Sequence, residues 1–164
     1  MELLIAHHDA ATRAALARAA GGPGDDGFDV IECADGQDAL ELLLAGDAPP
    51  LALVDWELPG IDGPELCRLA YQFQESAPPY IILLSHAGEQ VAEGLEAGAS
   101  DCVRARVHDD ELRARLEVGR RFAMLLAPRR VAPSLVAERS PFDDVADHDP
   151  RGEACELRSV LAAE

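Results

Sequence analysis

The amino-acid sequence predicts an α/β protein whose strands form a parallel sheet. Short apolar segments alternate with helical segments of about ten residues, a pattern typical of parallel sheets covered by helices. The clearest apolar segment is LALVDWELPGIDG, residues 51–63, in which four apolar residues precede Asp55 and turn residues follow it. Such a run indicates a strand buried on both faces. Because ligands gather beyond the carboxyl ends of parallel strands, Asp55 lies where a functional site is expected.

Five strands are predicted, and they differ in composition. Their bounds are 2–6, 28–33, 51–54, 80–84 and 101–104. The first, third and fourth are dominated by continuous apolar runs, whereas the second alternates apolar and polar residues. The fifth contains two charged residues and is the weakest of the predicted strands.

Five helices are predicted between and after these strands. Their bounds are 10–20, 37–44, 64–73, 89–97 and 109–127. Asp9 suits the N-cap of the first helix, Pro64 suits the first turn of the third, and Gly98 suits the residue that ends the fourth. The segment 21–27, which is rich in Gly and Asp, is predicted to be a loop.

The composition limits the classes of function. The 164 residues include 31 acidic and 14 basic residues, every basic one being Arg, and the net charge is −17. A nucleic-acid-binding module needs a basic face, so neither nucleic acid nor an anionic membrane surface is expected as a partner. No apolar run approaches the length of about 18 residues that a membrane span needs. The first residues, MELLIAHHD, are too short and too soon polar for a signal peptide.

The four cysteines indicate a reducing compartment. Cys33, Cys67, Cys102 and Cys155 are widely spaced and form no C-x-x-C pair. They are therefore interpreted as small core residues rather than as a disulfide or zinc framework. Together with the absence of a targeting signal, this pattern predicts a cytoplasmic protein.

Two regions are predicted along the chain. Residues 1–127 hold all the predicted strands and helices, whereas residues 128–164 contain four prolines and an acidic run. Proline interrupts helices, and acidic segments with few apolar groups do not form a core, so 128–164 is predicted to be a linker or tail. A short amphipathic helix at 153–163, able to dock a partner, is the alternative to a weakly structured end.

The segment 51–63 resembles the phosphoacceptor segment of response-regulator receiver domains. That segment reads apolar strand, Asp, two residues, an apolar residue, Pro-Gly, an apolar residue and Asp-Gly. The resemblance extends over residues 1–122. It implies a flavodoxin-like, doubly wound sheet of five parallel strands in the order 2-1-3-4-5 with five helices. It also implies that Asp55 accepts a phosphoryl group from a histidine kinase, with the ends of strands 1, 3, 4 and 5 around it.

The resemblance further implies a metal site and a partner surface. Receivers hold Mg²⁺ with the acceptor Asp, an acid pair after the first strand and a backbone carbonyl, here that of Glu57. They bind a histidine kinase or a downstream signalling protein through helix 4, strand 5 and helix 5, and homodimers can form through the same face. Because receivers are signalling modules, no enzyme activity is expected.

The acid pair of receivers is absent from its expected place. After the first strand this sequence reads His7-His8, in a register fixed by the preceding apolar residues and by Arg13. Imidazole is a poor ligand for Mg²⁺, which prefers oxygen. Asp9 is acidic but one place late, and could substitute only if the strand end were shifted. No cofactor is therefore expected, and Mg²⁺ is expected to bind weakly at most, through Asp55 and Glu57.

The end of the fifth strand also departs from the receiver pattern. Ala105 stands where receivers have the phosphate-binding Lys, and Arg106 stands in place of the following Pro. Cys102 replaces the aromatic switch residue and is interpreted as a core residue. Ser85, at the end of the fourth strand, keeps the hydroxyl that would bond a phosphoryl oxygen. Without the positive charges, phosphotransfer is expected to be slower by orders of magnitude, so the sequence resembles an atypical receiver, or pseudo-receiver.

Three functions follow from these residues. The first is a signalling module whose output depends weakly or not at all on phosphorylation, with a His–Asp55 pair imitating the activated state. The second is a phosphorylatable receiver that uses Asp55 in a two-component relay. The third is a metal protein that uses His7 and His8. It is ranked last because consecutive strand residues point to opposite faces, so the two rings are not expected to share an ion. Trp56 and Glu57 are expected to face the rim of the site.

Overall fold

The computed structural model describes residues 1–21, 27–73, 78–88 and 90–126. The predicted tail at 128–164, its candidate helix at 153–163 and Cys155 lie outside the described residues, as does most of the predicted loop at 21–27. The division of the chain at residue 127 therefore stays a prediction.

The described strands form one parallel sheet of order β2-β1-β3-β4-β5. Their bounds are β1 Glu2–Ala6, β2 Asp29–Cys33, β3 Leu51–Asp55, β4 Tyr80–Ser85 and β5 Asp101–Arg104. This confirms the predicted fold class and strand order. Because β3 lies in the middle of the sheet, all five of its residues are buried. In register, Ala6 lies beside Val54, and Asp55 lies beside Leu84, so the strands end close together.

Five helices connect the strands. Their bounds are α1 Ala10–Ala19, α2 Gly36–Leu44, α3 Gly63–Phe73, α4 Gln90–Glu96 and α5 Asp109–Leu126. The Asp9 carboxylate accepts a hydrogen bond of 2.7 Å from the Thr12 amide, which confirms it as the N-cap of α1. Gly98 follows α4 with φ of 103°, the left-handed region that favours glycine at a helix end. Predicted and observed helix bounds differ by one residue, as is usual at helix ends.

Apolar side chains fill the space on both sides of the sheet. Alternation along β3 sends Leu51 and Leu53 to the layer that contains buried residues of α1 and α5, and Ala52 and Val54 to the layer that contains those of α2 and α3. Burial of these side chains provides the main stabilisation of the domain. None of the described helices combines the length and apolarity that crossing a bilayer requires.

The described cysteines belong to this interior. Cys33, Cys67 and Cys102 are buried and free, which confirms them as core residues. Burial raises the pKa of the Cys67 thiol to about 12, so this side chain stays protonated and behaves as an apolar group.

The start of α3 is pressed against the end of β3. The Gly63 amide donates a hydrogen bond of 3.0 Å to the Trp56 carbonyl. A Cβ atom on Gly63 would collide with the backbone carbonyl oxygen of Asp55 and lie 2.6 Å from Leu83 Cδ1. Only glycine fits at this position, and the close approach fixes the backbone on which the Asp55 side chain stands.

Candidate functional site

Asp55 ends β3 at the carboxyl edge of the sheet. Its carboxylate is fully buried, an unusual state for an ionisable side chain. The neighbouring strands place three imidazole rings around it, those of His7 and His8 after β1 and that of His86 after β4. The site is therefore an aspartate enclosed by histidines.

Both histidines after β1 approach the same carboxylate oxygen. His7 Nε2 and His8 Nδ1 each lie 3.5 Å from Asp55 Oδ2, and the two rings stack with centroids 4.7 Å apart. The expectation that the rings point to opposite faces is therefore wrong. β1 ends at Ala6, so the two-residue alternation of a strand no longer applies at these positions.

Arg13 of α1 holds the backbone in the turn that allows this arrangement. Its Nη1 group donates to the carbonyl oxygens of His7, at 2.7 Å, and His8, at 3.2 Å. Its Nε group also pairs with the Glu32 carboxylate of β2 at 3.1 Å. Arg13 therefore occupies its receiver-like position and has a structural role there, because it holds the segment that carries the histidines.

The hydrogen bonds of His7 define which nitrogen carries its proton. The Asp9 amide donates to His7 Nδ1 at 3.0 Å, so this nitrogen needs a free lone pair. In the neutral ring the hydrogen is then on Nε2, directed at Asp55. Burial lowers the pKa of His7, although the nearby Asp55 carboxylate opposes this shift. His7 therefore faces Asp55 as a neutral N–H group.

His86 makes the shortest contact to the carboxylate and was missed by the sequence reasoning. Its Nε2 lies 2.8 Å from Asp55 Oδ1. The loop is held by Gln90, whose Oε1 accepts hydrogen bonds of 2.9 Å from the amides of His86 and Ala87. The sequence did contain a signal for this role. His86 is a polar residue directly after the buried strand β4, so it lies at the same edge of the sheet where Asp55 was expected.

The two oxygens of Asp55 differ in their environment. Oδ1 has the contact with His86, whereas Oδ2 is buried without a hydrogen-bond partner among the described residues. At 3.5 Å, the contacts from His7 and His8 to Oδ2 are too long to act as good hydrogen bonds. A buried carboxylate oxygen without a partner is costly, and it marks a position suited to binding a cation.

The residues at the ends of β4 and β5 are joined by hydrogen bonds. The Ser85 hydroxyl donates to the Val103 carbonyl at 3.2 Å, and the Ala105 amide donates to the Ser85 carbonyl at 2.8 Å. Ala105 packs against the apolar layer of α1 and α5 and brings no charge. The Arg104 Nη2 atom lies 3.8 Å from the position that a Cβ on Gly88 would occupy, so this guanidinium covers the loop after β4. Cys102 is buried.

The remaining candidates lie at the margin. Asp9 uses its carboxylate to accept hydrogen bonds of 2.7 Å from both the amide and the hydroxyl of Thr12, and these bonds lower its pKa. It caps α1 instead of replacing an acid of the missing pair. Glu57 is exposed, as expected. Trp56 is half-buried and packs against the apolar layer of α2 and α3, so the expectation that it faces the rim is wrong.

The donor atoms around Asp55 do not suit Mg²⁺. This ion demands near-octahedral oxygen coordination, whereas the groups next to Asp55 Oδ2 are two imidazole nitrogens. Among the described residues, the donor atoms that lie together here come from His7, His8 and Asp55, and only one of them is a carboxylate oxygen. No chemical step is therefore assigned to Mg²⁺ in this pocket.

Sequence comparison finds relatives of the chain among bacterial transcriptional regulatory proteins. Residues 3–117 match the family model described as the response regulator receiver domain. The phosphate regulon transcriptional regulatory protein PhoB of Rhizobium meliloti is 37% identical over 114 residues, which cover 68% of this chain and 46% of PhoB. The transcriptional regulatory protein CseB of Streptomyces coelicolor is 44% identical over 99 residues, 59% of this chain and 41% of CseB. The chain thus spans about half the length of these curated relatives.

Solved structures show the same fold. The receiver domain of the Francisella response regulator 1452 superposes with a TM-score of 0.63 at 23% identity, covering 74% of this chain and 97% of that one. A CheY-like receiver domain protein from Methanospirillum hungatei gives a TM-score of 0.62 at 20% identity, covering 76% and 96%. With the five-stranded parallel sheet of order 2-1-3-4-5 and the match over residues 3–117, these findings establish that the chain belongs to the response regulator receiver domain family of two-component systems.

Proposed function

We propose that this receiver domain is an atypical one, which signals by binding a partner protein with little or no dependence on phosphorylation of Asp55. Receiver domains act in two-component signalling by interacting with histidine kinases and other proteins, and no enzymatic activity is assigned to this one. The observation that carries the proposal is the enclosure of the Asp55 carboxylate by three imidazoles in place of acids and a lysine.

Electrostatics argues against efficient phosphoryl transfer. An anionic carboxylate must attack an anionic phosphoryl donor, so the pocket needs strong positive charge. The chain has no Lys, Ala105 stands in the corresponding position, and the donors near Oδ2 do not suit Mg²⁺. Loss of metal stabilisation removes several kcal/mol, and each loss of about 1.4 kcal/mol slows a reaction about tenfold. We therefore expect transfer to Asp55 to be slower by orders of magnitude than in receivers with the full set of residues.

The contact between His86 and Asp55 supplies a substitute for the activating interaction. A charge-assisted hydrogen bond of 2.8 Å links the loop after β4 to the end of β3. This hydrogen bond connects the end of β3 with the loop after β4, the two segments that a phosphoryl group on Asp55 would otherwise connect. This contact supports a conformation of the loop after β4 that does not require a covalent modification.

Exposed apolar side chains supply a surface for the partner. Val118, Phe122 and Leu125 of α5 are exposed and spaced four and three residues apart, so they lie on one side of the helix. Leu95 of α4 is also exposed. Exposed apolar groups on the helices of the expected α4-β5-α5 surface favour binding of a kinase, a downstream protein or a second copy of the chain.

A phosphorylatable receiver is the second candidate. Asp55 Oδ2 has no hydrogen-bond partner among the described residues, which leaves a lone pair for attack on a phosphoryl donor. Ser85 also keeps the hydroxyl at the end of β4. In this alternative the imidazole N–H groups next to Asp55 would stabilise the negative charge of the phosphoryl group, and Asp55 would accept phosphate in a relay.

Phosphorylation is tested by incubating the full chain with acetyl phosphate and Mg²⁺ and measuring its intact mass. The proposal expects no phosphoryl group on the parent over a period that fully labels a receiver with the acid pair and lysine. A gain of one phosphoryl group that disappears in Asp55→Asn would support the relay instead.

Partner binding is tested with the same variant. The immobilised full chain is compared with Asp55→Asn and with Leu125→Glu, which places a charge on the most exposed apolar residue of α5. The proposal expects Asp55→Asn to keep the bound kinase or regulator and Leu125→Glu to lose it. Retention by Leu125→Glu together with loss in Asp55→Asn would contradict it.

A further inference from the structure

We propose that His7, His8 and Asp55 form a binding site for one divalent first-row transition metal ion, with Zn²⁺ as the reference ion. Their donor atoms lie within 4.8 Å of one another. Among the described residues, this is the group of His, Cys, Asp or Glu side chains that lies close enough together to hold a metal ion. Two histidines and one carboxylate are a recurrent ligand set for such ions. The inference goes beyond the proposed function, because an ion could occupy the pocket whether or not partner binding depends on phosphorylation.

The distances suit a metal ion better than they suit hydrogen bonds. His7 Nε2 and His8 Nδ1 each lie 3.5 Å from Asp55 Oδ2. Ligands bound at about 2.0–2.1 Å in tetrahedral geometry lie roughly 3.3–3.4 Å from one another. The two nitrogens therefore lie at nearly the required distance from the oxygen, and because the three donor atoms lie within 4.8 Å of one another, a limit wider than tetrahedral spacing, the two rings would also have to approach each other to bind one tetrahedral ion. A fourth position would be left for water or another ligand.

The unpartnered oxygen is the second, independent observation. Asp55 Oδ2 is buried and accepts no hydrogen bond from the described residues. Oδ1 of the same carboxylate is already held by His86 Nε2 at 2.8 Å. His86 therefore orients the carboxylate, and Oδ2 is the oxygen left facing the two rings, as a positioned metal ligand would be.

An ion can reach the site through the exposed histidine. The His8 side chain is 52% exposed, whereas those of His7 and Asp55 are buried. The net charge of −17 also favours the approach of cations. The two nitrogen donors favour a transition metal ion here, whereas Mg²⁺ and Ca²⁺ prefer the oxygen ligands of acidic surfaces.

Binding requires a defined change at His7. The Asp9 amide donates to Nδ1 at 3.0 Å, so the ring hydrogen is on Nε2, the atom that would bind the ion. When an ion binds, that proton must leave Nε2 and the neutral ring must carry its hydrogen on Nδ1, with solvent transferring the proton. The hydrogen bond from Asp9 is then lost. Metal binding through His7 therefore has a spectroscopic signature in both residues.

The affinity experiment uses the full chain in metal-free buffer with excess Mg²⁺, and titrates Zn²⁺ by equilibrium dialysis. One ion per chain is expected, with affinity at least about tenfold weaker in His8→Asn and in Asp55→Asn. His108→Asn is the matched control, because His108 is exposed and precedes α5. Equal affinity in the parent and in His8→Asn, or no uptake of Zn²⁺ against Mg²⁺, would overturn the proposal.

Nuclear magnetic resonance of the same samples locates the ion. Zn²⁺ is expected to move the ring-nitrogen resonances of His7 to those of the tautomer with hydrogen on Nδ1, and to shift the Asp9 amide. Neither shift should occur in His8→Asn. If the parent takes up Zn²⁺ while His7 and Asp9 stay unchanged, the ion is bound elsewhere and the proposal is wrong. None of these outcomes is measured through phosphorylation or a partner, so failure of this proposal can be distinguished from failure of the proposed function.

Discussion

The interior of the sheet and its carboxyl edge differ in how closely they follow the receiver pattern. The interior has the family's strand order and a fully buried β3. The edge keeps Asp55 but surrounds it with imidazoles. Burial of apolar side chains can therefore maintain this fold while the residues that follow the strands differ in their chemistry. We therefore expect most of the stability to come from the interior and the specificity of the site to come from the edge.

The largest effect is expected from a cavity in the interior. Leu53 is fully buried in β3, so Leu53→Ala should lower the free energy of unfolding by about 2–5 kcal/mol. Urea denaturation followed by circular dichroism measures the change. Leu125→Ala, at a side chain 83% exposed, should change the free energy by less than about 0.5 kcal/mol. Similar losses in the two variants would contradict the assignment of stability to the interior.

A smaller effect is expected where the two regions meet. Gly63→Ala introduces a Cβ that collides with the Asp55 carbonyl, and relief of the collision should cost about 1–3 kcal/mol of unfolding free energy. The backbone shift should also lengthen the contact between Asp55 and His86. Gly46→Ala is the control, since a Cβ there meets nothing within 4 Å. Comparable stabilities of the two variants would show that the edge does not depend on this close packing.

The smallest effect is expected at the edge itself. His86→Ala removes the only hydrogen-bond contact found for Asp55 among the described side chains. The His86 side chain is 39% exposed, so solvent screening should limit the loss to about 1 kcal/mol. A double-mutant cycle with Asp55→Asn isolates the pair. A coupling energy of zero would mean that the pair contributes nothing to stability, and a loss as large as that in Leu53→Ala would erase the distinction between edge and interior.

The sequence predicted the interior better than the edge, for a physical reason. Runs such as residues 51–54 and 80–84 carry the periodicity of buried strands, so the strands could be inferred before the structure, whereas their order was implied by the resemblance to receiver domains. Beyond Ala6 that periodicity stops. There the backbone carbonyls of His7 and His8 accept hydrogen bonds from Arg13, and the alternation of a strand does not predict the directions of the two rings.

The same limit explains the other errors at the edge. His86 approaches Asp55 from a loop whose conformation depends on Gln90, so its role was visible only in three dimensions. Trp56 was expected at the rim, but its large apolar ring packs against the interior because burial outweighs its position in a turn. The sequence shows which residues follow each strand, but it did not predict the directions of their side chains.

We propose that the Asp55 pocket does not support Mg²⁺-dependent phosphorylation. The most direct measurement is a crystal structure of the full chain grown with Mg²⁺ and beryllofluoride, an analogue of the phosphoryl group. We expect Asp55 to keep its contact with His86 and to carry neither beryllofluoride nor Mg²⁺. A structure with beryllofluoride on Asp55, an octahedral Mg²⁺ liganded by Asp55 and the Glu57 carbonyl, and His86 displaced would contradict it.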